Sequence, residues 1–389
     1  MSAARARVIV VTPTEPYPFG HALGRWHYVL LKELSRRKYQ VRCLSATTNQ
    51  QWAQLARQAI EPFGIHLSLH PVSLERRWLR RKWRTFRAPF SYTLSNGLRA
   101  DLEREIRSGY DVLHLEQLWT GYLAEERERS LVAVHHLSSL DLAGLTLACG
   151  PRLLLGRHLM RRSERSLLRR LDAITTLSNR LAASIQSINR RARVFVVPFG
   201  LDPSLYRFVA DDRFAEPIIG FLANMKWMPG YLAARRLITR VYPLVKQLIP
   251  GAKVLVAGWH ALEVLSDLAN HAGVTIEENV SDALSYLDRL QVMAYPLPQG
   301  SGVKVKVLEA MARGIPVVTT TDGVEGIEAT DGEHCFVADQ DIAFAQRVVE
   351  LLQNPDRRRA FRQRGRALIE ERHSAVPVVD QLEHVYQAL

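Results

Sequence analysis

Residues 300–321 constrain the fold of this chain more than any other feature, because they read as a loop, a helix and a strand. Gly300 and Gly302 flank a serine, which predicts a tight turn with open backbone N–H groups. The next stretch, VKVKVLEAMAR, spaces its apolar residues as a helix does, and Gly314 ends it. IPVVTTT then has the β-branched composition of a buried strand. This order predicts half of a βαβ layer, with a helix N-terminus that can hold a phosphate.

The predicted helix has one apolar side and one polar stripe. Val305 and Leu308 share the apolar side, whereas Lys306, Glu309 and Arg313 form the stripe beside it. A ligand at the loop would meet this stripe. Spacing alone equally allows an ordinary amphipathic helix whose Lys and Glu are solvated neighbours, so both interpretations stay open at this point.

Short apolar runs alternate with helical stretches along both halves of the chain. The 389 residues suffice for two domains with separate cores. Strands that alternate with helices of ten or more residues predict doubly wound parallel sheets, which is an α/β fold class. The predicted strands occupy residues 7–11, 41–44, 110–119, 218–224 and 253–259.

Composition excludes several classes of protein. No apolar run approaches the roughly 20 residues of a membrane span. The basic start followed by VIVV and Pro13 is too short for a signal-peptide core, and it reads as a first strand. Cys43, Cys149 and Cys335 are scattered and odd in number, which indicates a reducing compartment and no zinc site. A cytoplasmic location is therefore expected.

Charge is distributed unevenly between the two halves. Residues 1–195 contain 32 Lys and Arg against 15 Asp and Glu, whereas residues 196–389 contain 20 against 24. The densest basic stretch, residues 74–90, interleaves seven cations with Trp and Phe. Such a stretch suits an anionic membrane surface, where each cation contributes about 1 kcal/mol. Nucleic acid would attract the same charge, and a solvated Arg-rich helix is the simplest alternative.

The segment YPLPQGSGVKVKVLEAMARGIPVVTT closely resembles the donor-binding segment of GT-B glycosyltransferases of family 4, the glycosyl transferases group 1 proteins. VFVVPFGLDPSLY similarly resembles the VPNGVD crossover between the domains of that family. The resemblance implies two doubly wound Rossmann-like domains that face a central cleft. It implies an acceptor-side domain at residues 1–199, a nucleotide-sugar domain at 200–374, and a final helix at 375–389 that crosses back.

The resemblance also implies roles for residues around the loop. Glu309 matches the family's ribose-binding Glu, and the cations Lys304 and Lys306 are expected to hold phosphates. The first Glu of the family's E-x7-E motif is replaced here by Ser301, as it is in relatives with a GSG-type loop. Residues expected to line the donor in this segment are Gly300, Ser301, Gly302, Val303, Lys304, Val305, Lys306 and Glu309.

Five further positions are carried over from outside that segment. Gly20, in the first loop, matches a Gly near the donor phosphates and acceptor, although residues 12–24 lack a dinucleotide fingerprint. A His at the end of the strand in SLVAVHH lies beside the transferred sugar in the family, and His135 matches it better than its neighbour. The nucleotide base is expected at Val280, in the loop 279–282, and Glu325 resembles a residue beside the donor. Lys226 falls at the family's phosphate Lys in one alignment and loses that match in another.

The resemblance implies an enzyme that moves a sugar from a UDP- or GDP-type donor to a glycan or lipid-linked acceptor with retained configuration. Catalytic roles are expected for His135, Lys306 and Glu309, with no cofactor and no metal. Asp339 and Asp341 form a D-x-D pattern, yet their place before an apolar helix predicts an N-cap. The alternatives are another GT-B enzyme, such as a sugar-nucleotide epimerase or phosphorylase, and a basic nucleic-acid-binding module. No nucleic-acid partner is expected.

Overall fold

The computed structural model describes residues 6–72, 90, 94–125, 127–142, 151–209, 216–280 and 283–389. They pack as two compact units. The first contains the described residues up to Ser139, those from 151 to Asp202, and His373–Leu389; the second contains 140–142 and those from Pro203 to Arg372. The predicted ranges differ from these units at the short segment after Ser139, which packs with the second unit.

The first unit is built on a parallel sheet. Its strands lie in the order β3-β2-β1-β4-β5-β6-β7, and the apolar run at residues 8–11 is fully buried in β1. Strands buried on both sides by helices are expected to read as such continuous apolar runs. The strands are β1 (Arg7–Thr12), β2 (Gln40–Thr47), β3 (His66–Pro71), β4 (Val112–Glu116), β5 (Ser130–Val134), β6 (Ala173–Thr176) and β7 (Arg193–Val196).

Helices alternate with these strands, and the last helix of the chain returns to the first unit. They are α1 (Ala22–Arg36), α2 (Gln50–Ile60), α3 (Asn96–Arg107), α4 (Ser138–Asp141), α5 (Pro151–Leu168), α6 (Asn179–Ile188) and α14 (Ala375–Ala388), with 3₁₀ turns at Glu61–Phe63 and Leu118–Ala124. The short helix α4 is divided between the units: Ser139 belongs to the first and Asp141 to the second.

The second unit has a parallel sheet in the order β10-β9-β8-β11-β12-β13. Its strands are β8 (Ile218–Leu222), β9 (Lys253–Gly258), β10 (Val274–Glu278), β11 (Val292–Tyr295), β12 (Val317–Thr319) and β13 (Phe336–Val337). Its helices are α7 (Met228–Arg236), α8 (Tyr242–Leu248), α9 (Ala261–Leu265), α10 (Ala283–Leu287), α11 (Val305–Arg313), α12 (Asp341–Gln353) and α13 (Pro355–Arg372). A π turn at Leu237–Val241 joins α7 to α8, and 3₁₀ turns occupy Pro203–Leu205 and Ser266–Leu268.

The predicted loop, helix and strand are confirmed, with α11 between β11 and β12. Helix α11 ends at Gly314, whose φ of 84° is left-handed, and a Cβ there would lie 2.7 Å from the Phe208 ring. The alternative interpretation of this stripe, in which its Lys and Glu are solvated neighbours, is wrong for Glu309. Glu309 is fully buried, and Arg313 is buried in an ion pair with Asp288 at 2.5 Å, because neighbouring elements cover that side.

Two predicted elements are shorter in the structure. The strand expected at 110–119 ends at Glu116, because Gln117 has a φ of 75° that turns the chain out of the sheet. The helix expected at 260–271 is α9 followed by a 3₁₀ turn. No helix among the described residues has the length and apolar character needed to cross a bilayer.

Each sheet contains one point where the strand order reverses, and ligands of open α/β sheets bind beside such points. In the first sheet the reversal separates β1 from β4, so that the loop containing Gly20 and the end of β4 at Glu116 lie beside it. In the second sheet it separates β8 from β11. The loops after those two strands, 223–227 and 296–304, therefore mark the candidate site of the second unit.

Candidate active site

The glycine-rich loop after β11 presents open backbone donors. Gly302 has a φ of 71°, a left-handed conformation that glycine adopts without steric penalty. Among the described residues, no acceptor takes the N–H of Gly302 or Val303. Helix α11 starts directly after this loop, at Val305. Consecutive free N–H groups before a helix N-terminus form an anion-binding arrangement.

Two lysine ammonium groups lie in this segment. Lys304 is 4% exposed, and its Nζ donates a hydrogen bond to the carbonyl oxygen of Gly302. Its stem also approaches Gly300, where a Cβ would lie 3.3 Å from the Lys304 Cε. Lys306 Nζ is 2.8 Å from the Glu309 Oε2. The lysines thus bring positive charge to the loop and to the first turn of α11.

Glu309 has both carboxylate oxygens engaged. Its Oε1 accepts a hydrogen bond from the Tyr206 hydroxyl at 3.2 Å, and its Oε2 faces Lys306. Tyr206 is itself 3% exposed. Sequence reasoning identified Glu309 but missed Tyr206, although this tyrosine closes the crossover segment VFVVPFGLDPSLY. An aromatic hydroxyl that ends such a segment was the available signal.

Removing the Tyr206 hydroxyl should loosen Glu309 without removing it. We expect Tyr206→Phe to raise the Kd for the best-binding nucleotide by about 5-fold, or roughly 1 kcal/mol, because the lost hydrogen bond acts on the ligand only through the orientation of Glu309. Isothermal titration measures the change. Tyr231→Phe, in helix α7, is the matched control and should leave the Kd unchanged; a Tyr206→Phe variant equal to wild type would contradict the positioning role.

Asp141 contacts the glycine-rich loop. Its Oδ1 accepts hydrogen bonds from both the N–H and the Oγ of Ser301, each at 2.8 Å. Its Oδ2 accepts from the Trp227 Nε1 at 3.1 Å, and its main-chain oxygen accepts from the Gln299 side chain at 3.1 Å. Sequence reasoning gave Asp141 no role, because 160 residues separate it from Ser301 and no local pattern joins them.

Lys226, Val280 and Glu325 are the remaining residues predicted in the second unit. Lys226 is half-exposed, and its ammonium pairs with Glu263 at 3.4 Å instead of with any loop residue. Val280 is partly buried after β10, and Glu325 is buried in the loop after β12. Residues 281 and 282 of the expected base-binding loop lie outside the described residues, as do residues 74–89 of the basic stretch.

Two predicted residues belong to the first unit. Gly20 lies in a turn after β1, where its N–H donates to the Tyr17 carbonyl oxygen at 3.2 Å. His135 follows β5, is 6% exposed, and places its Nε2 2.9 Å from the Glu116 Oε2. The roles expected for these residues toward the donor and the sugar stay predictions.

Glu116 is the centre of a buried cluster in the first unit. Besides His135, its carboxylate contacts the Trp26 Nε1 at 2.9 Å, the His114 Nε2 at 3.0 Å and the His27 Nε2 at 3.5 Å. All these side chains are at least nine-tenths buried. Burial alone would raise the pKa of Glu116, but the charge of His135 and the neighbouring imidazoles of His114 and His27 hold the pKa well below the usual value of 4.5. The sequence showed this residue only as part of the strand predicted at 110–119.

Metal-ligand arrangements are sparse in the described part of the chain. There, only His260, Glu263 and Glu278 bring candidate ligand atoms within 4.8 Å of one another, and they lie at the surface. The prediction that the D-x-D pattern supplies a helix cap is wrong. Asp341 pairs with Arg236 at 2.7 Å in the first turn of α12, where Gln340 precedes the helix, and Asp339 binds Thr321.

Two family models match the chain. The model described as Glycosyltransferase Family 4 matches residues 23–205, and the one described as Glycosyl transferases group 1 matches residues 216–354. Over 185 residues the chain is 23% identical to the capsular polysaccharide biosynthesis glycosyltransferase CapM of Staphylococcus aureus, covering 46% of this chain and 48% of that protein. Over 125 residues it is 25% identical to an uncharacterized 44.6 kDa protein in the cps region of Klebsiella pneumoniae, covering 30% and 32%. The chain therefore matches less than half of the length of these relatives.

Solved structures resemble the whole chain. A sucrose-phosphate synthase from Thermosynechococcus elongatus is 14% identical, with a TM-score of 0.71 and 98% of each chain covered. Anabaena Alr3699/HepE in complex with UDP-glucose is 14% identical, with a TM-score of 0.66, covering 98% of this chain and 100% of that one. Together with the two doubly wound parallel sheets, these likenesses define a protein of the GT-B class.

The family matches then identify the chain within that class. It belongs to the group 1 glycosyltransferases of the family 4-like type. The predicted fold class, family and enzyme class are thereby confirmed.

Proposed function

We propose that this glycosyltransferase takes its sugar from a nucleotide-diphosphate donor of the UDP or GDP type and passes it to a glycan or lipid-linked acceptor. The observation that carries the proposal is the pairing of open N–H groups at Gly302 and Val303 with the start of helix α11. Buried Glu309 lies one turn further along this helix. The open N–H groups and the start of the helix suit a diphosphate, and the Glu309 carboxylate suits a ribose diol.

The chemistry requires stabilisation of the departing diphosphate while the anomeric carbon becomes oxocarbenium-like. Preorganised N–H donors and cations aimed at the developing charge supply this stabilisation, which is often the largest catalytic contribution. A helix N-terminus carries about half a positive charge, and Lys304 and Lys306 add whole charges beside it. We therefore propose transfer without a metal ion, and with retained configuration as the family resemblance implies.

Relatives support the class of donor and product. Anabaena Alr3699/HepE was solved in complex with UDP-glucose, and the S. aureus relative is described as a capsular polysaccharide biosynthesis enzyme. We accordingly propose that UDP is the first nucleotide to test and that the product is part of a surface or storage glycan. The interpretation of residues 74–90 as a membrane-facing surface stays a prediction from the sequence.

Thermal unfolding in the presence of nucleotide diphosphates tests the proposal. A ligand that binds the native state raises the Tm by mass action, and 100 times its Kd stabilises the protein by about 2.7 kcal/mol. We expect UDP or GDP to raise the Tm by several degrees, and the presence of EDTA to leave that rise unchanged. If no nucleotide diphosphate shifts the Tm, the donor proposal is wrong.

Release of free nucleotide separates transfer from related reactions. A transferase releases its nucleotide faster when an acceptor is added, whereas an epimerase keeps the nucleotide attached to the sugar. A nucleic-acid-binding module would ignore nucleotide-sugars and bind DNA or RNA with steep salt dependence. Release that depends on a glycan or lipid-linked acceptor is the expected outcome.

A further inference from the structure

A buried carboxylate occupies part of the glycine-rich loop. Asp141 is 6% exposed, and the donors that reach it are an amide N–H, a hydroxyl, an indole N–H and a carboxamide. No Lys or Arg among the described residues forms an ion pair with it. Buried carboxylates usually have a cationic partner, whereas the groups that reach this one are uncharged donors.

This carboxylate divides the loop into two parts with opposite preferences. The N–H of Ser301 is already taken by the Asp141 Oδ1, whereas the N–H groups of Gly302 and Val303 stay open. A phosphoryl oxygen suits the open pair, but beside Asp141 it would meet a like charge in a partly buried setting. An uncharged polyhydroxyl group suits Asp141, because an ionised carboxylate only accepts hydrogen bonds.

Asp141 can accept one further hydrogen bond. Its Oδ1 already accepts two hydrogen bonds, but its Oδ2 accepts one, from Trp227, and a carboxylate oxygen can accept two. The Oδ2 is therefore the atom that can take a ligand hydroxyl. The hydrogen bonds from Ser301 and Trp227 hold the carboxylate in place, so a ligand would meet a preoriented acceptor.

We propose that Asp141 is a specificity-determining residue that binds a hydroxyl group of the transferred sugar and excludes a phosphate from the Ser301 end of the loop. This inference rests on the proposed nucleotide-sugar donor, since it assigns the two ends of that donor to the two parts of the loop. Asp141 would thereby distinguish the nucleotide-sugar from a nucleoside triphosphate. In the triphosphate, a third phosphate takes the place of the sugar on the second phosphate.

The test compares three ligands by isothermal titration: the preferred nucleoside diphosphate, its sugar conjugate and the corresponding triphosphate. Wild-type protein should bind the triphosphate at least 10-fold more weakly than the diphosphate. In Asp141→Asn, this difference should shrink to 3-fold or less, and affinity for the sugar conjugate relative to the diphosphate should fall about 10-fold. Affinity for the diphosphate itself should stay within 3-fold or rise.

The pattern across the three ligands separates recognition from tethering of the loop. Asp267→Asn makes the same change at an exposed Asp of the same unit and, as the matched control, should leave all three affinities unchanged. Equal losses for all three ligands in Asp141→Asn would show that Asp141 merely holds the loop, and would overturn the inference. If Asp141→Asn fails to fold, the wild-type comparison still decides, because equal binding of diphosphate and triphosphate would overturn it. Wild-type protein that binds none of the three overturns the proposed donor as well, which distinguishes the two failures.

Discussion

Replacing Glu309 by glutamine should weaken binding of the preferred nucleotide by about 100-fold. The carboxylate is buried and held by Tyr206 and Lys306, so a ribose diol would meet an acceptor that is already oriented. A hydrogen bond to a buried charged group contributes about 1.5–3 kcal/mol, and a diol makes two such contacts. Glutamine has the same shape, but it turns one of the two acceptors into a donor.

The ribose itself supplies the sharper measurement. Wild-type protein should bind a 2′,3′-dideoxy nucleotide about 100-fold more weakly than the ordinary nucleotide, and Glu309→Gln should bind the two within about 3-fold of each other. Glu263→Gln changes an exposed Glu of the same unit and serves as the control, with no expected effect on either ligand. A Glu309→Gln variant that still prefers the ribonucleotide would reject the contact with ribose.

Replacing Glu116 should have the second large effect, which is on the free energy of unfolding. Replacing it with alanine leaves buried imidazole and indole donors without their shared acceptor, and loss of one partner of a buried charged pair costs about 3–5 kcal/mol. Glu116→Ala should therefore lower the free energy of unfolding of the first unit by about that amount. Urea unfolding followed by tryptophan fluorescence measures it, because Trp26 lies in the cluster. Glu125→Ala breaks an exposed ion pair with Arg170 and should change stability by less than about 1 kcal/mol.

The pH dependence of stability follows from the direction of the shift. Because the pKa of Glu116 is lowered in the folded chain, its contribution is present above the unfolded value of 4.5 and is lost as the pH falls toward the folded value. Wild-type protein should therefore lose stability more steeply below about pH 4.5 than Glu116→Gln does. The groups facing Glu116 in this comparison are His27 on α1, His114 on β4 and His135 after β5, with Tyr386 of α14 bonded to His114. Parallel pH profiles of the two proteins would contradict this assignment.

The sequence predicted the elements that depend only on residues close together in the chain. The loop, α11 and β12 follow from glycine, helical spacing and β-branching in 22 consecutive residues, and Glu309 followed from the same stretch. Its burial did not, because Tyr206 reaches it from 103 residues away. Asp341 looked like a cap from its neighbours in sequence, but Arg236 and Arg240 bind its carboxylate. Such roles depend on contacts with residues that are distant in the sequence, and the periodicity of the local sequence does not reveal these contacts.

The cluster around Glu116 shows the same limit more strongly. Each member sits in an unremarkable local context: Trp26 and His27 in a helix, His114 and Glu116 on one strand, His135 after the next. Alternation places His114 and Glu116 on the same side of β4, which the sequence could have shown. What it could not show is that α1 and the end of β5 bring their donors to that side.

The hydrogen bond between Tyr386 and His114 sets an order of events during synthesis. Its hydroxyl lies 2.6 Å from the His114 Nδ1, so the buried cluster of the first unit is complete only when α14 has docked. The chain from Pro203 to Arg372 leaves the ribosome before α14 does and forms almost all of the second unit. On a nascent chain, the second unit can therefore fold while the first unit still lacks α14.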